Sequence, residues 1–132
     1  SALDVKVLSP DRTGLLRAMG VLKENGVLAI FPDEKREGTM MAPLFGRPPH
    51  AGGNLALAAR LARRTGAQLV VAYCERLEGT RFRLHFEGPF HLSETKGNAL
   101  ADVALLNSRI EPAILRHLDQ WYYLDDSIGP IA

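Results

Sequence analysis

A single cysteine in 132 residues, Cys74, leaves no possibility of an intrachain disulfide or a thiolate zinc site. It lies in an apolar run and reads as a small buried hydrophobe. An excess of charge of one sign is missing too: 16 Lys and Arg stand against 15 Asp and Glu, for a formal net charge of +1. A domain that holds nucleic acid through bulk charge carries a basic excess, so no nucleic-acid partner is expected. No apolar run approaches the ~20 residues that span a bilayer, and no signal-peptide pattern is visible. Also missing are a Gly-x-Ser-x-Gly elbow and a Gly-x-x-x-x-Gly-Lys-Ser/Thr loop, so neither that hydrolase class nor P-loop nucleotide chemistry has support. There is no internal repeat and no low-complexity tract.

What is present suits one soluble α/β domain. Hydrophobic residues make up 46% of the chain, enough for a real core at this length. Leu3–Leu8 alternates apolar and polar and reads as a short strand. Asp11 follows Ser9-Pro10 and is placed to cap a helix from Arg12 to about Asn25, with Leu15, Leu16, Met19 and Leu22 on one face and Gly26 as its stop. Val27–Phe31 is a continuous apolar run, the pattern of a strand buried on both faces of a parallel sheet. Met40–Phe45 reads as a further short strand. A helix rich in alanine and leucine is predicted from about Ala51 to Arg64, closed by Thr65-Gly66. Gln68–Arg76 and Arg81–Phe86 read as the two arms of a hairpin. In the second arm Phe82, Leu84 and Phe86 alternate with Arg81, Arg83 and His85, which predicts one wet face and a place at the sheet edge. The last helix starts near Asn98 and runs to about Leu118, with Pro112 expected to kink it or begin a new segment. Gln120–Leu124 is an aromatic tail expected to pack back on the domain. This order predicts an α/β fold of three layers around a mixed sheet.

The loop Pro32–Thr39 is the best candidate site. Ligands of open α/β sheets bind beyond the carboxyl ends of strands, and Asp33 stands there. Lys35 and Arg36 could hold a phosphate or carboxylate; the plainer reading is a solvated charged loop. The histidines have ordinary roles available: His50 at a helix start, His85 on the polar face of a strand, His91 in a connection, His117 near a helix C-terminus where a cation suits the macrodipole. Gly52-Gly53 could offer amide donors to a phosphate, or simply allow close packing of the helix. Arg60, Arg63 and Arg64 form a cationic cluster whose plainer role is a solvated helix end.

Four segments, in order, carry a resemblance. They are Asn25–Asp33, Pro43–Pro49, Leu57–Cys74 with its Thr65-Gly66-Ala67, and Glu111–Tyr122 with its Gln120-Trp121 pair. Together they resemble the C-terminal half of the bacterial lipid A biosynthesis (lauroyl and myristoyl) acyltransferases. The resemblance implies a glycerolphosphate-acyltransferase-like fold, here incomplete. It implies transfer of a fatty acyl chain from acyl carrier protein or coenzyme A to a hydroxyl of a lipid A-type glycolipid, with no cofactor. It also implies a parent protein at the cytoplasmic face of the bacterial inner membrane. The family's general base belongs to a His-x-x-x-x-Asp/Glu motif. In this sequence His50, His85, His91 and His117 are followed five positions on by Leu55, Phe90, Lys96 and Tyr122, so the motif is absent and no catalytic residue is assigned. Asp33 alone carries over, from a Pro-Asp-Gln motif whose glutamine is replaced here by Glu34. Lys35 and Arg36 join it as expected substrate-binding residues on the ground of charge. Ser1-Ala2 is compatible with an introduced dipeptide, and on this reading the natural chain is expected to begin upstream. The isolated chain is then expected to be inactive. Two alternatives stand beside it: a non-catalytic binding module derived from the same fold, and an acyltransferase for another acceptor lipid.

Overall fold

A computed structural model describes residues 4–92 and 96–124. Three helices and two small antiparallel sheets are present. Helix α1 spans Arg12–Lys23, strands β1 and β2 are Lys35–Arg36 and Thr39–Met40, and helix α2 is Gly53–Thr65. Strands β3 (Leu69–Arg76) and β4 (Phe82–Phe90) follow, then helix α3 (Ala99–Arg116) and a 3-10 turn at Leu118–Gln120.

The helix ends are set by short-range chemistry. At α1 the Asp11 carboxylate accepts from the Gly14 N–H at 2.8 Å and from the Ser9 hydroxyl at 2.9 Å. The Gly14 bond, first among the causes, holds the Asp11 carboxyl below its ordinary range. The other end of α1 closes as a Schellman motif: Asn25 N–H bonds to Leu22 C=O and Gly26 N–H to Val21 C=O. Asn25 takes the left-handed position (φ 58°), one residue before the glycine expected there. Helix α2 ends on Gly66 in the left-handed region, as expected. Helix α3 starts where Asn98 Oδ1 accepts from Leu100 and Ala101, and runs unbroken through Pro112.

The core lies between α2 and α3. Leu55, Ala56, Ala59 and Ala62 present a low, small-residue face from α2, and Val103 and Leu106 meet it from α3. Met40 at the end of β2, with Ala42 and Leu44 just after it, closes the space, and Leu44 is fully enclosed. Small side chains let the helix backbones approach closely, so a few large ones fill the volume. One charged pair sits in this interface. Asp102, 2% exposed, accepts two bonds from Arg63, from Nε at 2.8 Å and Nη2 at 2.7 Å. Arg63 Nη2 also donates to the Leu92 carbonyl. The planar fork of the guanidinium thereby ties α2, α3 and the segment just after β4 together. The other two arginines of the predicted cluster, Arg60 and Arg64, are exposed.

Several expectations fail in a consistent way. Residues 4–8 form no strand, and Val5 and Val7 are exposed; Leu3 falls outside the described residues. Val27–Phe31 is neither a strand nor buried: Val27 is 92% and Phe31 81% exposed. A strand needs a ladder partner to satisfy its N–H and C=O groups, and none of the described residues pairs with this run. Of Met40–Phe45 only Met40 is in a strand, because β1 and β2 form a two-residue-wide hairpin closed by Met41 N–H to Glu34 C=O. The α/β class holds, but the described strands make two separate antiparallel pairs in place of one mixed sheet of a three-layer fold.

The β3–β4 hairpin is present, but the apolar alternation of its second arm does not mark the covered face. Phe82, Leu84 and Phe86 point outward, 58–69% exposed, while Tyr73, Glu75 and His85 line the face toward the C-terminal end of α3. Cys74 lies on the outer face and is exposed, not buried.

Leu44→Ala is expected to lower stability by about 2–5 kcal/mol, the range for emptying an enclosed leucine site. Chemical denaturation measures this; a loss under about 0.5 kcal/mol, the scale of surface changes, would contradict the packing described.

Candidate functional site

The charged loop is a structural knot more than a free surface. Asp33 Oδ2 accepts from the Trp121 indole N–H at 2.9 Å, joining positions 88 residues apart in sequence. Glu34 faces the other way: its Oε1 accepts from the Asn54 N–H at 2.8 Å and lies 3.1 Å from the Arg36 guanidinium. The Glu34 side chain thus serves the start of α2, whose own preceding residue, Gly52, has no side chain to cap with. Asn54 returns a bond to the Phe31 carbonyl at 2.9 Å. The Gly53 position needs glycine on two counts: its φ is +85°, and a Cβ there would come 2.8 Å from Met41 Cβ. Close packing, not an anion cradle, is what this glycine provides.

Lys35 and Arg36 sit on β1, and Glu37-Gly38 forms the turn with both φ positive (49° and 80°), as a type I′ hairpin turn requires. Lys35 Nζ stands 5.8 Å from the centre of the Tyr123 ring, within cation–π range. The Arg36 side chain is 58% exposed.

Beside Asp33 the aromatic tail packs on the second segment. Phe45 meets the Trp121 ring edge to face at 5.5 Å. Phe45 itself has φ 59°, followed by Gly46 at 80°. Glu111 holds this bend, with Oε2 accepting from Phe45 N–H at 2.7 Å and from Asn107 at 3.1 Å. Arg47 donates to the Leu44 carbonyl at 3.0 Å. Asp33, Phe45, Glu111 and Trp121, from three of the four segments singled out in the sequence, therefore form one cluster. Trp121 and Tyr123 pack against the core as expected of the tail, while Tyr122 is exposed.

The histidines lie elsewhere. His50 Nδ1 accepts from Gly52 N–H at 3.2 Å, a helix-start role. His91 is 3.3 Å from Gln68, and His117 is the residue that ends α3. His85 is the exception to a plain role. Its Nε2 is 2.7 Å from Glu75 Oε2, its ring stacks on Tyr73 at 4.6 Å, and His117 is 6.3 Å away. The His85 bond, the largest of several causes, holds the Glu75 carboxyl below its ordinary range. Arg116 completes the patch, donating to Glu87 at 2.9 Å and to the Tyr73 hydroxyl at 3.1 Å. Among the described residues no three His, Cys, Asp or Glu side chains converge as metal ligands.

Sequence reasoning missed Glu34, Glu111 and the Glu75–His85 pair. Glu75 and His85 face each other across the hairpin, so the predicted pairing of those strands was the available signal. Glu34 and Glu111 act over 20 and 66 positions, and nothing local announces them.

Two outcomes follow for solution measurements. Trp121 is the only tryptophan, so Asp33→Ala should shift the intrinsic emission to the red and lower the denaturation midpoint; an unchanged spectrum would show that the indole does not bond to Asp33. A carboxyl lowered in the folded state adds stability above its unfolded pKa and loses it as pH falls through the folded value. Glu75→Gln should therefore flatten the decline in stability that sets in as pH drops below about 4.3. An identical acid limb in pH-dependent denaturation would remove Glu75 from that role.

The comparisons with known proteins are clear on one point. No curated protein and no solved structure matches the chain. The family described as bacterial lipid A biosynthesis acyltransferase matches residues 2–127, nearly the whole length. By that match, and with the four segments in their order, the chain belongs to the bacterial lipid A biosynthesis acyltransferase family.

Proposed function

We propose that this chain forms the acceptor-side part of an acyltransferase catalytic domain of glycerolphosphate-acyltransferase-like fold. The reaction moves a fatty acyl group from acyl carrier protein or coenzyme A to a hydroxyl of a lipid A-type glycolipid. The observation that carries this reading is the cluster of Asp33, Phe45, Glu111 and Trp121, which joins three of the four segments of the family resemblance. Asp33 acts through Trp121 as a positioning residue. It fixes the loop so that Lys35 and Arg36 project from a short rigid hairpin, where paired cations suit the phosphates of a glycolipid.

The chemical step requires a base to take the acceptor hydroxyl's proton as the oxygen attacks the thioester carbonyl, with the thiol as leaving group. None of the four histidines stands in a His-x-x-x-x-Asp/Glu sequence. In this reading the base is encoded upstream, in a parent protein working at the cytoplasmic face of the inner membrane. No helix among the described residues is long and apolar enough to cross a membrane. The absence of the motif equally favours a second reading, a non-catalytic binding module of the same ancestry. A His-x-x-x-x-Asp/Glu encoded just before Leu3 would select the first, and a start codon near Leu3 the second.

The 132-residue chain is expected to give no acyl transfer above background, since loss of the general base alone costs roughly 10²–10⁴ in rate. Robust transfer by the purified chain would overturn the requirement for an upstream histidine. In the parent protein, the double variant Lys35→Ala, Arg36→Ala should raise KM for a phosphorylated acceptor roughly tenfold, about the loss of one charge-assisted contact. An unchanged KM would remove the two cations from acceptor binding.

A further inference from the structure

Two arginines of α2 have no role in the core or in the acyl-transfer reading. Arg60 and Arg64 stand four residues apart, so a single turn stacks two cations on one side of the helix. Like charges at that spacing repel. The dipole of α2 favours a cation in its last turn, which suits Arg64 and leaves Arg60, a turn earlier, without that support. Among the described residues neither makes an ion pair with a carboxylate.

Both side chains border a cleft of about 180 Å³ between α2 and the start of α3. The floor of the cleft is apolar and buried, with Ala56 and Ala59 from α2 and Val103 from α3. Arg60 and Arg64 are exposed at its mouth. Arg60 is already held there, because its Nη1 donates at 3.0 Å to the carbonyl of Ala51, itself a residue of the cleft. Gly97 stands on the α3 side, and a Cβ at that position would meet nothing within 4 Å, so the mouth is open there.

Charge decides what fits. The carboxylate in the wall, Asp102, takes two bonds from Arg63, and that pair is neutral. Arg60 and Arg64 then leave two positive charges unmatched. A phosphate monoester carries about −1.5 to −2 near pH 7, and its oxygens accept from the planar forks of guanidinium groups. A carboxylate or a phosphodiester carries a single charge and leaves one arginine unmatched. The buried alanines lower the local dielectric, which strengthens the attraction, and they offer a surface to an ester substituent.

We propose that the α2–α3 cleft is a binding site for a phosphate monoester, with Arg60 and Arg64 on the phosphate and the ester substituent on the alanine floor. The site goes beyond the acyl-transfer reading and does not rest on it, because it needs neither an upstream base nor Lys35 and Arg36.

The test is a titration of the 132-residue chain with phenyl phosphate. It is followed by NMR at the Gly97 and Ala99 amides and the Arg60 and Arg64 Nε–H groups, with ionic strength held constant by sodium chloride. Saturable shifts are expected, with Kd on the order of 0.1–1 mM near neutral pH. Affinity should fall several-fold as pH drops through about 6, where the monoester takes up its second proton. Arg64→Gln leaves the Ala51 bond in place and should weaken binding about fivefold; with Arg60→Gln added, the loss should reach about tenfold or more, with unchanged circular dichroism. Lys35→Ala, Arg36→Ala should leave Kd as it was, which separates this site from the acceptor site. Dihexanoyl phosphatidic acid and glycerol 3-phosphate distinguish the sources of the group: tighter binding of the lipid assigns a lipid headgroup, and equal binding a soluble monoester. Shifts reproduced by added sodium chloride would overturn the proposal, as would an affinity untouched by Arg60→Gln, Arg64→Gln. Loss of binding in Lys35→Ala, Arg36→Ala would move the phosphate to the hairpin and overturn it too.

Discussion

The approach of α2 to α3 governs everything else in the structure. It is possible because α2 offers alanines where a larger core would have leucines, and it is locked in one register by Arg63 holding Asp102. A carboxylate this deeply placed is tolerable only with its oxygens satisfied, and a bidentate guanidinium does that. The Asp102 bond, largest of the causes, also raises the Arg63 pKa above its ordinary value. By reaching the Leu92 carbonyl, the same side chain fixes where β4 leaves the sheet. One arginine thus sets the relation of two helices and a hairpin.

On that frame, the loop after Phe31 is fastened at two acidic residues pointing in opposite directions. Glu34 fastens it to the start of α2, and Asp33 to the tail that follows α3. Since α2 and α3 are held to each other, the loop spans a fixed distance. Lys35 and Arg36 gain definite positions from this, although neither belongs to the core. The proposed function gives the arrangement its interest: a charged hairpin of set geometry would hold an anionic acceptor better than a mobile loop, because less freedom is lost on binding.

Legibility in the sequence followed the range of the forces. The three helices were readable because their signals are local: Asp11 and Asn98 at starts, Gly66 at an end, apolar residues at helical spacing. The β3–β4 pairing was readable from alternation and a turn. Alternation does not say which face is covered, however: one wet face was expected, and Phe82, Leu84 and Phe86 are exposed along with Arg81 and Arg83. The runs at Val5–Val7 and Val27–Phe31 have strand composition, but composition cannot supply a ladder partner. At the candidate site, Asp33 was found from its place in the chain and from the family motif. Its partner Trp121 was not, because a bond across 88 positions leaves no local trace. Pro112 was overrated as a breaker: packing of α3 on both sides of it outweighs one missing hydrogen bond.

The turn at Glu37-Gly38 has a corollary of its own. Met41 N–H to Glu34 C=O shuts the hairpin at its base, and the exposed tip, Glu37–Thr39, stands clear of the core that Met40 enters. A change of length or charge at the tip leaves the frame in place. If the proposed function holds, acceptor preference is adjustable at Glu37–Thr39 by insertion or exchange alone, with the residues that anchor the hairpin left as they are.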